Sequence, residues 1–272
     1  MTIDEALSLG KSKVHSDHAK MLLADLLSIN PLELLLHLDD IVPEDKLDLY
    51  KKEIDALQEN KPLQYVIGNI NFYGNKFYID ENVLIPRFET EELVELTILK
   101  AKKLFTEPVE IIDIGCGSGV IGLTLEKKLS TKTVDLVDIS KEALKVCEKN
   151  VKNLNSKANL IESDVFENID KKYDIIISNP PYIKDDEEIE DIVRDNEPHI
   201  ALFAGPDGLD IYKKIFKDAK NHMKDTCLMA LEIGMDQAND ITKLAEEYLG
   251  DVKVEVRKDM QGRDRMVFIY TK

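Results

Sequence analysis

Ser178-Asn179-Pro180-Pro181-Tyr182 brings together groups able to hold and aim a nitrogen atom. Asn179 offers a side-chain carbonyl acceptor and an amide donor. Pro180 has no N–H, so its backbone offers only an acceptor, and successive prolines keep the chain extended. Tyr182 adds a flat aromatic face. Two acceptors can hold both hydrogens of a planar NH2 group while a ring packs on its plane. Such a group is an amide or an aromatic amine, whose delocalised lone pair is a poor nucleophile. The task of a clamp made from Asn179, Pro180, Pro181 and Tyr182 would be to aim that nitrogen at an electrophile.

A second stretch could hold the electrophile. Ile111-Ile-Asp113-Ile-Gly115-Cys116-Gly117-Ser118-Gly119 closes one apolar run and opens a helical one. Its glycines let the backbone turn tightly and approach a ligand. A GxGxxG string also runs from Gly117 to Gly122, with Asp138 about twenty residues on, as a dinucleotide site would have. The first glycine, however, should sit at the strand end, and that is Gly115. An acidic residue two before the first glycine of GxGxG is the pattern of S-adenosylmethionine sites, and nothing here supplies a hydride-acceptor site. Asp113 would orient the amino-acid end of that ligand, Gly115, Cys116, Gly117, Ser118 and Gly119 would cradle it, and Asn179 is expected to touch it as well as the acceptor. Asp138 would take the ribose hydroxyls, since Ser140 fills the role of N-cap. In Ser163-Asp164-Val165-Phe166, Asp164 could accept from an adenine amine, with Val165 or Phe166 against the ring; a plain turn explains that stretch equally well. His15 and His18 stand at i, i+3 without a visible third ligand, so a solvated helix face is the reading and no metal is expected.

The elements that must position these groups alternate from about residue 108 onward. Strands are expected at Val109–Ile114, Thr133–Val137, Ala158–Ile161, Tyr173–Ser178, Thr226–Ile233, Val252–Val256 and Arg265–Tyr270, with helices near 119–129, 141–153, 208–224 and 236–249. That pattern is a Rossmann-like, doubly wound α/β domain whose ligands lie outside the carboxyl ends of the strands. It occupies residues 89–272. Residues 1–60 read as a small helical bundle, with leucines at 22, 23, 26 and 27, an Asn30-Pro31 start continued by leucines at 32, 35, 36 and 38, and a stripe of Leu47, Tyr50, Ile54 and Leu57. Residues 61–88 read as a β-hairpin linker, including Tyr65-Val-Ile-Gly68 as a β-prone piece. In Leu84-Ile-Pro-Arg87-Phe-Glu89-Thr90-Glu91, Thr90 would cap the next helix, leaving Arg87 and Glu89 to face a cleft.

Composition narrows the partners. Against 36 basic residues stand 53 acidic ones, a net −17, which argues against life on a phosphate backbone. From Lys184 to Glu197 the chain carries eight acidic and two basic residues, which would repel nucleic acid if placed beside the site. Three separated cysteines fit a reducing compartment, no signal peptide is evident, and no apolar run approaches a membrane span.

Taken together these residues resemble the HemK/PrmC family, the release factor glutamine methyltransferases. The resemblance spans nearly the whole chain: Pro62-Leu-Gln-Tyr65 with Gly68, Leu84 to Arg87 with Glu89-Thr-Glu91, Asp113 to Gly119, Asp138-Ile-Ser140, Asn179 to Tyr182, Glu197-Pro198, Glu232-Ile-Gly234, and Asp259 with Gly262 and Arg265. It departs at Phe88, where the family usually has proline, and at Val165, where an aromatic can stand. The Asn-Pro-Pro-Tyr clamp alone is shared with nucleic-acid adenine methyltransferases, which remain the alternative. The resemblance implies methylation of the Gly-Gly-Gln glutamine of class I peptide chain release factors by S-adenosylmethionine. It also implies docking of the release factor by the helical domain; Arg87, Glu89 and Glu197 are the substrate-side candidates, and a monomer in the cytoplasm is expected.

Overall fold

A computed structural model describes residues 1–271, and the chain divides into two compact units. The first holds residues 1–69 and 190–196. It contains α1 (Ile3–Lys11), α2 (Ser16–Leu27), α3 (Glu44–Gln58), α4 (Leu63–Ile67) and, from later in the chain, α8 (Asp191–Asn196). Thr2 and Glu5 cap α1 reciprocally, each side chain accepting from the other's backbone N–H at 3.2 and 2.9 Å. Leu22, Leu23 and Leu26 of α2 and Tyr50 and Ile54 of α3 are buried in one core, so the leucine spacing reads correctly. A methyl group on Gly10 would overlap the Tyr50 hydroxyl, so glycine here is what lets α1 and α3 approach. The Asn196 side chain donates to the Asn60 carbonyl at 3.0 Å within this unit.

Three readings of this unit change. The leucines after Asn30-Pro31 form only a one-turn helix, Glu33–Leu36: Leu34 is buried and Leu38, beyond the helix, packs against the core, while Leu32 and Leu36 are 73% and 82% exposed. Adjacent leucines give no single face for a longer helix to bury. Tyr65 to Gly68 is helical rather than extended, with Pro62 at the N-cap and Gly68 ending the turn at φ 73. His15 is itself the N-cap of α2, its Nδ1 accepting from the Asp17 N–H at 3.3 Å.

The second unit begins with a hairpin of β1 (Asn69–Phe72) and β2 (Asn75–Tyr78), turned by Tyr73 and Gly74, both at positive φ. Then come α5 (Phe88–Leu104), β3 (Val109–Ile114), α6 (Val120–Lys128), β4 (Thr131–Asp138), α7 (Lys141–Asn153), β5 (Asn159–Glu162) and β6 (Tyr173–Ser178). The unit ends with α9 (Asp210–His222), β7 (Met223–Glu232), α10 (Ala238–Leu249), β8 (Val252–Lys258) and β9 (Asp264–Thr271). The seven-stranded sheet runs β5-β4-β3-β6-β7-β9-β8, parallel except for β9, which is antiparallel to both neighbours. Alternation along β3 sends Ile112 and Ile114 to one core and Val109 and Ile111 to the other, so both faces are covered. The chain leaves β3 toward β4 and β5, then returns to place β6 on the other side. The carboxyl ends of β3 and β6 therefore flank the topological switch point, where a doubly wound sheet opens a crevice.

Candidate active site

That crevice is a cavity of about 290 Å³. One wall is the loop after β3, Gly115 to Ser118; the other is Asn179-Pro180-Pro181 after β6. Ser178 ties the two strand ends together, its hydroxyl donating to the Ile114 carbonyl at 2.6 Å. Pro86 and Thr90 lie on one side of the mouth and Pro198 and Ile200 on another.

The glycine wall is made by backbone. Gly115, Gly117 and Gly119 all have positive φ, at 67, 53 and 80. A Cβ on Gly115 or Gly117 would meet no protein atom within 4 Å, whereas one on Gly119 would collide with Cys147 Sγ at 2.6 Å. The first two positions thus border open space and the third packs inward, with Cys116 buried between. Asp138, at the end of β4, lines the cavity and fixes this wall: its Oδ2 accepts from the Gly117 N–H at 2.9 Å and its Oδ1 from the Ser140 N–H at 2.8 Å. Each oxygen keeps a lone pair for a ligand hydroxyl. Burial pushes the Asp138 carboxyl above its usual range, against the pull of the Ser140, Gly117 and Ile139 N–H groups. Ser140 caps α7, its hydroxyl accepting from the Ala143 N–H at 3.2 Å.

Two sequence expectations on this side are corrected. Asp113 does not face the cavity. It is fully buried, its Oδ2 accepts from the Gly122 N–H at 2.9 Å, and its Oδ1 has no partner. Strand alternation explains this: Asp113 shares a face with Ile111 and so meets α6 beneath the loop. Burial pushes its carboxyl up to about 7, with the Asp138 charge adding to the rise. Phe166 is likewise withdrawn, stacked on His222 at 4.4 Å in the core. Val165, with φ at 52, and Asp164 do line the cavity, and Asp164 is paired with Lys214 at 2.6 Å.

The clamp wall is held by side chains. Asn179 Nδ2 donates to Thr90 Oγ1 at 3.1 Å, and the Thr90 hydroxyl donates to Glu232 Oε2 at 2.7 Å. A hydroxyl has one proton; since it goes to Glu232, Thr90 can only accept from Asn179. The Asn179 NH2 therefore faces Thr90 and its Oδ1 is left over. Among the described residues neither Asn179 Oδ1 nor the Pro180 carbonyl accepts a hydrogen bond. Thr90 is not the cap expected of it: α5 starts at Phe88, so Thr90 lies inside the first turn with its hydroxyl spent on Glu232. Tyr182 does not line the cavity. Its half-buried ring packs on the core with the Arg265 guanidinium 5.9 Å above it, and burial pushes its hydroxyl up to about 12. Gln237 braces this loop, donating from Nε2 to the Tyr182 and Gly208 carbonyls at 3.0 and 3.1 Å.

Arg87, Glu89 and Glu197 form a frame behind the mouth. Arg87 pairs with buried Glu197 at 2.6 Å, and Glu197 also accepts from the Ile85 N–H at 3.0 Å. Glu89 pairs with Arg263 at 2.8 Å. None of the three lines the cavity. Sequence reasoning singled out Glu232-Ile-Gly234 as a strand end but not the bond of Glu232 to Thr90, and it missed Gln237.

Models of the PrmC N-terminal domain and of the methyltransferase small domain match residues 8–68 and 93–196. Among solved structures, a ribosomal protein L11 methylase from Lactobacillus delbrueckii subsp. bulgaricus superposes with a TM-score of 0.53 at 21% identity, covering 71% of this chain and 84% of that one. A methyltransferase from Pyrococcus furiosus gives 0.55 at 17% identity, over 81% and 98%. At this identity they show a shared fold. Sequence relatives reach across both units. The release factor glutamine methyltransferase of Streptococcus pneumoniae is 43% identical over 85% of this chain and 82% of its own length. That of Bacillus subtilis is 37% identical over 98% and 96%. With relatives 43% and 37% identical over 85% and 98% of its length, the chain belongs to the release factor glutamine methyltransferase family.

Proposed function

We propose that the protein transfers a methyl group from S-adenosylmethionine to the side-chain amide nitrogen of the glutamine in the Gly-Gly-Gln motif of class I peptide chain release factors. The observation that carries this reading is the clamp wall. Asn179 Oδ1 and the Pro180 carbonyl are two acceptors without proton donors, side by side in sequence, on a cavity whose opposite wall is a backbone cradle. The name borne by the bacterial relatives supplies the substrate.

The residues present fit the methyl donor. Gly115 and Gly117 leave open the space a Cβ would fill, and would hold its amino-acid end. Asp138 keeps lone pairs for ribose hydroxyls, and Val165 offers an apolar surface with Asp164 beside it for the base. Bound there, S-adenosylmethionine supplies an electrophilic methyl group on a sulfonium. The chain's own work is positioning. Asn179 Oδ1 and the Pro180 carbonyl each accept one hydrogen of the glutamine NH2, and Tyr182, packed on the core, holds the loop from behind. Fixing the nitrogen in line with the methyl group is worth effective molarities on the order of 10⁵ M or more. No wall residue is a strong base, and none is required: the methylated amide nitrogen becomes acidic and sheds its own proton. Both walls belong to one unit of one chain, so one copy holds a whole site; we propose a monomer, acting in the cytoplasm. The exposed leucines Leu32 and Leu36, with Ile41, give the helical unit an apolar face of the kind that docks a protein.

The same clamp would suit an adenine amine of nucleic acid, but a net −17 and the acidic run after Tyr182 oppose a phosphate backbone. The test offers methyl-labelled S-adenosylmethionine with a class I release factor, with that factor carrying glutamine-to-alanine in its motif, and with unmodified DNA. Label on the first alone is expected. Label on DNA, or on both release factors equally, overturns the proposal.

A further inference from the structure

The clamp wall contains a feature that the methyl-transfer reading does not use. Asn179 is not simply anchored; it is the end of a directed chain of hydrogen bonds that begins at a buried carboxylate. Glu232 closes β7 and is 1% exposed; Thr90, on α5, is 2% exposed; Asn179 follows β6. The links are 2.7 Å from the Thr90 hydroxyl to Glu232 Oε2 and 3.1 Å from Asn179 Nδ2 to Thr90 Oγ1.

We infer that Glu232 and Thr90 are positioning residues that set which end of the Asn179 amide is offered to the substrate nitrogen, so that the charge state of Glu232 switches the clamp on and off. The inference rests on the proposed amide acceptor and adds to it a control of polarity. An ionised Glu232 can only accept. The Thr90 proton then goes to Glu232, the Asn179 NH2 goes to Thr90, and Oδ1 faces the cavity. A neutral Glu232 carries a proton of its own and can donate it to Thr90 Oγ1. The Thr90 hydroxyl then turns its proton toward Asn179, whose Oδ1 must rotate to accept it. The NH2 end now faces the substrate NH2, donor against donor, and half of the clamp is lost. No proton leaves the chain in this rearrangement beyond the one that Glu232 takes from solvent.

The surroundings make Glu232 able to change charge near neutrality. Burial pushes its carboxyl up to about 7, against the Thr90 bond and the Arg265 and Arg87 charges, with Glu89 adding to the rise. The other titratable groups that face it are the Tyr182 and Tyr212 hydroxyls; both are pushed upward, by burial first, and stay neutral in this range. Tyr212 donates to the Glu232 backbone carbonyl at 2.7 Å and so holds the strand end without competing for the carboxylate.

The experiment has two arms. In the free enzyme, the Asn179 side-chain amide resonance of nitrogen-15-labelled protein is followed from pH 5.5 to 8.5. It is expected to titrate with a midpoint near 7 in the wild type and to be flat in Glu232→Gln. A resonance insensitive to pH in the wild type, or titrating unchanged in the variant, overturns the relay whatever the substrate proves to be. In the second arm, methyl transfer to release factor is measured over the same range. Wild-type kcat/KM is expected to fall as pH drops below about 7. Glu232→Gln, which carries no titratable proton, should show no such acid limb, whichever end of its amide meets Thr90. Thr90→Val, which leaves the Asn179 NH2 without its acceptor, should sit roughly 100-fold below wild type without the acid limb, and Thr90→Ser should stay within a few-fold of wild type and keep it. A wild-type acid limb in Glu232→Gln, in a protein with an unchanged melting temperature, overturns the inference. Absence of label on release factor with the wild type, beside a titrating Asn179 resonance, overturns the substrate reading and leaves the relay standing.

Discussion

The two walls of the cavity are built on different principles. The glycine wall after β3 owes its shape to backbone: three positive φ angles, and N–H groups of Gly117 and Ser140 tied to Asp138. The clamp wall after β6 owes its function to the direction of side-chain protons along Asn179, Thr90 and Glu232. A backbone wall recognises shape. A side-chain wall reads donor against acceptor, and can be silenced without moving an atom by more than a bond rotation. The two walls should therefore fail in different currencies: substitutions in the first should cost donor binding, and substitutions in the second should cost transfer to the acceptor.

The largest effect is expected where a side chain is forced into the cradle. Gly117→Val must place a β-branched residue at φ 53, which costs roughly 1–2 kcal/mol of backbone strain, and must also put its methyl groups where the ligand would lie. Calorimetry should show the Kd for S-adenosylmethionine rising by 100-fold or more. Binding within a few-fold of wild type would mean that this loop does not hold the donor, and the division between the walls would collapse.

Asn179→Ala comes next. It removes an acceptor from the clamp and leaves the cradle intact, so kcat/KM for release factor should fall by about 10²–10³-fold while the donor Kd stays within about twofold. A loss shared equally between donor binding and transfer would show that the walls act as one unit rather than two.

How much of this division can be read from sequence follows the same line. The strands that carry the walls, Val109–Ile114 and Tyr173–Ser178, have the predicted ends because buried parallel strands read as continuous apolar runs. The glycine wall is legible because positive φ demands glycine. The clamp residues are legible as types, since two prolines and an asparagine are costly in a loop without a purpose. The support is not legible, because it comes from contacts remote in sequence. Thr90 reads locally as a helix cap, and only the arrival of Glu232, 142 positions later, takes its hydroxyl. Asp113 reads as a ligand for the methyl donor until strand alternation turns it toward Gly122. In the helical unit, a run of leucines from 32 to 38 promises a helix, and one turn results because within that turn only Leu34 is buried.

The smallest predicted effect sharpens the comparison most finely, because each wall has a buried carboxylate beneath it. Asp113 under the glycine wall and Glu232 under the clamp are both fully or nearly fully buried, and burial pushes both up to about 7. In the unfolded chain such groups titrate near 4. Between about pH 4 and 7 the folded protein therefore holds protons that the unfolded chain has released, and stability falls as pH rises through that window, levelling above it. Asp113→Asn removes one of the two contributions. Its melting temperature should fall less steeply between pH 5 and 7.5 than that of the wild type, and should exceed it at pH 8, where the wild type buries a charge with one oxygen unpaired. The two carboxylates differ in what they touch. Asp113 binds a backbone N–H, which has one orientation, whereas Glu232 binds a hydroxyl, which has two. The acid limb of kcat/KM should accordingly keep its wild-type midpoint in Asp113→Asn and vanish in Glu232→Gln. An acid limb that moves with Asp113 instead would transfer the protonation-sensitive step from the clamp to the cradle.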